Sequence, residues 1–75
     1  MDNYGVEMIP VSSSNVQSIG YDEANQVLYV RFTNNTLYCY NGVPVAEFFG
    51  LQSTSSVGTY LSQNIKGSYP YQRLE

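Results

Sequence analysis

The sequence predicts an α+β domain: a three-stranded antiparallel meander followed by two short helices packed on the sheet and an extended C-terminal tail. Three observations carry this. Apolar residues alternate with polar ones through residues 16–41, the pattern of a half-buried sheet. Clusters of Asn, Asp and Ser punctuate those runs as turns do. Beyond Pro44 the apolar spacing changes to a helical one.

Residues 1–7 are polar, contain Gly5, and are expected to be a flexible N-terminal segment. Met8-Ile9-Pro10-Val11 opens the ordered part. Pro10 cannot donate to a ladder, so this piece reads as an edge strand or an extended arm. Ser12-Ser13-Ser14-Asn15 is a polar turn. Residues 16–22 form a strand with Ile19 and Tyr21 in phase, and Asp22-Glu23-Ala24-Asn25 supplies the next turn. Residues 26–33 are the clearest strand, with Leu28, Val30 and Phe32 on one face and Tyr29 and Arg31 on the other. Residues 36–41 are the third.

The loop between the last two strands decides where the tyrosines point. A two-residue loop, Asn34-Asn35, pairs Val30 with Cys39 and puts Tyr29, Arg31, Tyr38 and Tyr40 on one face. A three-residue loop, 33–35, pairs Val30 with Tyr38 and Leu28 with Tyr40, turning both tyrosines inward beside Phe32. The shorter loop asks for left-handed backbone at two residues and the longer only at Asn35. Asparagine tolerates that conformation, so sterics allow both, and the longer loop is preferred.

Pro44 suits the first position of a helix carrying Val45, Phe48 and Phe49, and Gly50 weakens its end. After Ser53-Thr54-Ser55-Ser56, Ser55 or Ser56 caps a second helix with Val57, Tyr60, Leu61 and Ile65 on one face. Gly67 stops that helix, placing Lys66 in its last turn, where a cation complements the dipole. Residues 69–73 run extended, because the residue before Pro70 avoids helical geometry. Leu74-Glu75 reads as a cloning scar, which leaves a single domain over residues 8–73.

A chain of 75 residues supports one modest core, and its eight tyrosines and three phenylalanines compensate for small size. Phe32, Tyr38, Tyr40, Phe48 and Tyr60 are expected to be the aromatic part of that core. Charge is sparse: Arg31, Lys66 and Arg73 stand against six carboxylates, for a net charge of −3. Three cations cannot make the strong basic patch of a generic polyanion binder. Cys39 is the only cysteine, so no intramolecular disulfide forms. Asn34-Asn35-Thr36 fits a glycosylation sequon, but without a signal-peptide pattern it reads as coincidence. No apolar run approaches membrane-spanning length, and a cytoplasmic location is expected.

Catalytic chemistry finds little support. Histidine is absent, which removes the commonest general base and zinc ligand. Cys39 has no activating partner, the Asp22-Glu23 pair sits in a turn, and the serine clusters serve as caps. No phosphate loop exists. The expectation is a non-enzyme with no catalytic residues, no metal and no cofactor.

Two features remain. Tyr38 and Tyr40 stand at strand spacing, as base-stacking rings do on small RNA-binding sheets, but filling the core is the preferred reading. Residues 64–75, NIKGSYPYQRLE, hold Lys66 and Arg73 with Tyr69 and Tyr71 around Pro70. Cations and rings together suit phosphate and base. A structural clasp, with Tyr69 and Tyr71 pressing one face onto the sheet, is preferred.

Taken in order, several motifs resemble the KTSC domain, a family found at the C-terminus of some lysyl-tRNA synthetases and as a free-standing bacterial protein. They are residues 8–15 (MIPVSSSN), Ile19-Gly20-Tyr21-Asp22, the strand with Leu28, Val30 and Phe32, Tyr38-x-Tyr40, Asn64-Ile65-Lys66-Gly67 and Tyr69-Pro70-Tyr71. The likeness spans nearly the whole chain. Two departures stand out. Similar sequences often carry Asn-Gly where this one has Asn34-Asn35, so the turn should be slightly strained. The residue between the tyrosines is often polar or charged where this chain has Cys39, which suits an outward position and inward tyrosines.

The resemblance implies a role in RNA or tRNA binding, from the company the domain keeps in a tRNA-handling enzyme. Arg31, Lys66 and Arg73 would then meet phosphate, with Tyr69 and Tyr71 stacking on bases. The alternative is a protein-interaction module using the outer sheet face (Tyr29, Leu37, Cys39) or an exposed edge strand.

Overall fold

A computed structural model describes residues 5–75. One antiparallel sheet of five strands runs in chain order: β1 Ile9–Pro10, β2 Val16–Asp22, β3 Val27–Phe32, β4 Leu37–Asn41 and β5 Tyr71–Arg73. Between β4 and β5 lie α1, Val45–Ser53, and α2, Val57–Tyr60. The second helix widens into a π-helical turn over Leu61–Ile65.

The fold is α+β, but the three-stranded meander expected from the sequence is the centre of a larger sheet. Ile9 pairs with Ile19, which makes Ile9–Pro10 the edge strand allowed by Pro10. Tyr71 pairs with Tyr40 and Arg73 with Tyr38, so the expected tail is itself the fifth strand. Strands of two and three residues are too short to show alternation, which is why neither edge is visible as a period.

The longer hairpin loop is the one formed. Val30 pairs with Tyr38 and Leu28 with Tyr40, and Phe32 N–H donates to the Thr36 carbonyl at 2.9 Å. Asn35 takes the left-handed backbone at φ +73°. Asn34 Oδ1 accepts from Thr36 N at 3.2 Å and from Thr36 Oγ1 at 2.7 Å, which gives the Asn-x-Thr triplet a structural role in the turn.

The helices differ from expectation in detail. Pro44 is the residue before α1, with extended ψ of 154°, and the Glu47 N–H to Pro44 carbonyl bond opens the helix. Ser56 caps α2 by position only, since its hydroxyl bonds Thr59 Oγ1. Lys66 N–H reaches back five residues to the Leu61 carbonyl at 2.8 Å, and Lys66 itself is extended. It therefore lies just past the helix rather than in its last turn. Gly67, at φ +83°, then reverses the chain toward β5, a conformation that only glycine adopts cheaply.

The core lies between the sheet and the helices. Ile19, Leu28, Val30 and Tyr40 face Leu51, Val57, Leu61 and Ile65, all buried. Each fully buried aliphatic side chain stabilises the fold by roughly 1.5–3 kcal/mol. Of the expected aromatic core, Tyr40 is fully inside, while Phe32, Tyr38, Phe48 and Tyr60 are half-buried against it. Tyr21 stacks on Phe48 at 5.2 Å between ring centroids.

The opposite face of the sheet is partly covered by the ends of the chain. Part of the segment 1–7 expected to be flexible, residues 1–4, lies outside the described residues. Within the rest, Val6 is buried, with its Cγ1 close above Gly20. The pair read as a scar is hydrogen bonded: Leu74 N–H donates to the Leu37 carbonyl at 2.7 Å and Leu37 N–H to the Glu75 carbonyl at 3.3 Å. Leu37 is fully buried and Cys39 nearly so, and Tyr29 is half-buried. The outer face is therefore not the open apolar surface expected for a protein partner.

Candidate nucleic-acid interface

Register places the aromatic rings. Directly opposed residues of an antiparallel pair share a face, so Tyr38, Tyr40, Tyr71 and Arg73 all belong to the helix-bearing side of the sheet. Tyr71 lies 5.9 Å from the Tyr38 ring and 6.0 Å from the Tyr40 ring, while Phe32 meets Tyr38 edge-on at 5.6 Å. Tyr40 fills the core, but Tyr71 at the sheet edge remains 64% exposed. An exposed ring braced by two others is a surface on which a flat group can stack.

Lys66 closes one side of this surface. The extended residue after the π-helical turn brings its Nζ to 5.2 Å from the Phe32 ring centroid, within cation–π range. Together Phe32, Tyr38, Tyr71 and Lys66, with Asn34 and Thr36 of the hairpin turn, line an open groove of about 520 Å³. Among the described residues no carboxylate lines it, so the groove is positive although the whole chain is acidic. Burial, reinforced by the phenols of Tyr38 and Tyr71, pushes Tyr40 up to about 12, and it stays neutral at the floor of the groove.

The five residues proposed from the sequence to meet nucleic acid do not converge. Lys66 and Tyr71 line the groove. Arg73 stands opposite Tyr38 on the same face, exposed, with its Nε donating to the Glu75 carbonyl at 3.0 Å. Arg31 pairs with Leu37 on the other face, where its Nη2 forms a 3.0 Å ion pair with Glu75 and its Nη1 donates to the Asn35 carbonyl. Tyr69 is half-buried, and its hydroxyl donates to Glu47 Oε2 at 3.1 Å. Asn34 and Thr36 were not singled out in the sequence as site residues. Their only signal was the Asn-x-Thr spacing, which also marks the turn.

These features define a small α+β domain with an aromatic, singly cationic groove at one edge of its sheet. The chain belongs to the KTSC domain family, whose model matches residues 12–69. An uncharacterised protein of Stutzerimonas stutzeri is 32% identical over 71 residues, 93% of this chain and all of that protein. A protein of Tsukamurella paurometabola is 39% identical over 59 residues, 79% of this chain and 88% of the relative. The crystal structure of a KTSC domain protein from Yersinia pestis has 34% identity and superposes with a TM-score of 0.91, covering 95% of this chain and all of that one. Among the described residues no helix is long and apolar enough to cross a membrane.

Proposed function

We propose that this domain is a small non-enzymatic module that binds a short stretch of single-stranded RNA weakly in the groove between β4, β5 and the turn after the second helix. The observation that carries the reading is Tyr71, 64% exposed and braced by Tyr38 and Tyr40, with Lys66 beside it. A base stacks on Tyr71, and the adjacent phosphates meet Lys66 and Arg73. Unpaired segments of tRNA offer such a strand. Arg31 takes no part, because it lies on the other face and is paired with Glu75.

The outer-face protein-interaction reading has less support, since Leu37 and Cys39 are buried. Fluorescence anisotropy with a labelled single-stranded RNA tests the proposal across a salt series. Two phosphate contacts give a log–log slope of about −1.4 for a single strand. Replacing Lys66 and Arg73 together by alanine flattens that slope, and Tyr71→Ala weakens binding about tenfold. Binding that ignores salt and Tyr71→Ala would show that the groove is not the site.

A further inference from the structure

The two edges of the sheet are not alike. At the first, Val11 N–H donates to the Gln17 carbonyl at 3.2 Å, so the backbone of Val11 and, two residues back, of Ile9 faces β2. Pro10, between them, faces away from β2 and has no N–H to give. That edge is blunted. At the other edge, Leu74 N–H donates to the Leu37 carbonyl at 2.7 Å and Asn41 N–H to the Pro70 carbonyl at 2.9 Å. Pro70, Gln72 and Leu74 therefore turn their backbone toward β4, and Tyr71 and Arg73 turn theirs outward. β5 ends the sheet, and all three of its residues are exposed. Its rim offers two donors and two acceptors.

We propose that β5 pairs antiparallel with β5 of a second copy of this chain, about a two-fold axis passing between the two Gln72 residues. Such an axis sets Tyr71 opposite the partner's Arg73, and Arg73 opposite the partner's Tyr71. Each is a hydrogen-bonded pair, so every outward donor and acceptor of the two rims is satisfied. Directly opposed side chains share a face, so each guanidinium meets a tyrosine ring of the other copy. An axis at Tyr71 would instead leave Arg73 past the end of the partner strand, and one at Arg73 would oppose two cations. The strand is self-complementary in one register, as a two-fold contact requires. Pro10 keeps β1 from joining, so the pairing closes at two copies rather than running on into a filament. Both grooves then lie on one side of a continuous sheet, each with the partner's Arg73 beside it. The pairing does not depend on what the grooves bind.

Sedimentation equilibrium of the whole chain, from micromolar to millimolar concentration, is the test, with two variants at the axis. Gln72 is exposed and stands opposite Cys39, on the face away from the groove, so replacing it spares both core and groove. The two copies of residue 72 form a non-hydrogen-bonded pair, about 4.5 Å apart at Cα. The parent chain is expected to pass from one chain toward two as concentration rises. Gln72→Lys or Gln72→Glu alone opposes like charges and is expected to weaken the dimer about fivefold. An equimolar mixture of the two variants opposes lysine to glutamate and is expected to recover the parent's association. The mass of one chain at every concentration overturns the proposal. So does a dimer that is indifferent to both variants and to mixing them, because it then joins through another surface.

Discussion

The Tyr69 hydroxyl donates to Glu47 Oε2 at 3.1 Å, across 22 residues of sequence, while Tyr60 donates to Oε1 of the same carboxylate at 2.6 Å. One side chain of the first helix thus holds both the second helix and the segment that leads into β5. Two residues further on, Tyr71 lies exposed in the groove. Of the clasp expected from the sequence, Tyr69 alone is tied down by a side-chain bond, while Tyr71 and Lys66 lie exposed.

Tyr69→Phe removes the clasp and little else. It is expected to cost about 1 kcal/mol in urea denaturation, the net value of one such hydrogen bond. Amide exchange at Tyr71, Gln72 and Arg73 should quicken as β5 loses its anchor. Exchange that stays as slow as in the parent chain would mean that pairing with β4 alone holds the strand.

Alkaline pH should destabilise the fold within a defined window. Burial, then the neighbouring phenols, raises Tyr40 from 10.0 to about 12. Tyr69 is raised by burial and then by its bond to Glu47, Tyr60 by its bond to Glu47 and then by burial. Tyr21 is raised by burial and then by Glu23 and Asp22. Above the unfolded value of 10.0 the unfolded chain releases protons that the native state retains, so stability, full below that pH, falls as the pH rises toward about 12. Thermal melts across this range, read beside phenolate absorbance, check it. A constant Tm through the window would contradict it.

Gly20→Ala probes the arm over the outer face. The new methyl carbon would stand 2.6 Å from Val6 Cγ1, 2.7 Å from Met8 Sδ and 3.0 Å from the Glu7 carbonyl oxygen. Relieving glycine in a strand is worth about 0.5–1 kcal/mol, but overpacking costs about 1–3 kcal/mol. Crowding wins because the arm's backbone must move, so a net loss of about 1 kcal/mol is expected in denaturant titration. A stabilised variant would show that the arm does not rest on the sheet.

Asn35→Gly should have the opposite sign. Asn35 holds φ at +73°, where glycine is at ease and asparagine only tolerated. A gain of about 0.5 kcal/mol is expected, reduced from the full strain by the added freedom of the unfolded chain. Asn35→Ala, measured beside it, should lose about 1 kcal/mol, since a left-handed backbone that asparagine tolerates costs alanine the full crowding of its Cβ.

The central hairpin was legible because β2, β3 and β4 are long enough to alternate, and the left-handed demand at Asn35 favoured the register now seen. The edges were legible only in part: Pro10 marked the first as an edge strand or an arm, and the last was read as an extended tail. Ile9–Pro10 and Tyr71–Arg73 acquire strand character only from their partners. The π-helical turn leaves no period of its own, so the sequence puts Lys66 inside the helix, where the structure has it extended just past the end. Arg31 joined Lys66 and Arg73 because they are the chain's three cations. Yet the alternation that turned Phe32 inward also turned Arg31 outward, so the sequence held the means to separate them. Asn34 left no such sign, because its polarity is set only when the turn closes on Thr36.

An amide NMR titration of the labelled domain with single-stranded RNA, at low and near-physiological salt, tests whether the groove is the binding site. Saturable, salt-sensitive shifts are expected at Asn34, Thr36, Tyr38, Lys66 and Tyr71, with Val6, Gly20 and Arg31 on the far face unmoved. Shifts gathered around Arg31 and the outer face, or no shifts even at low salt, would contradict it.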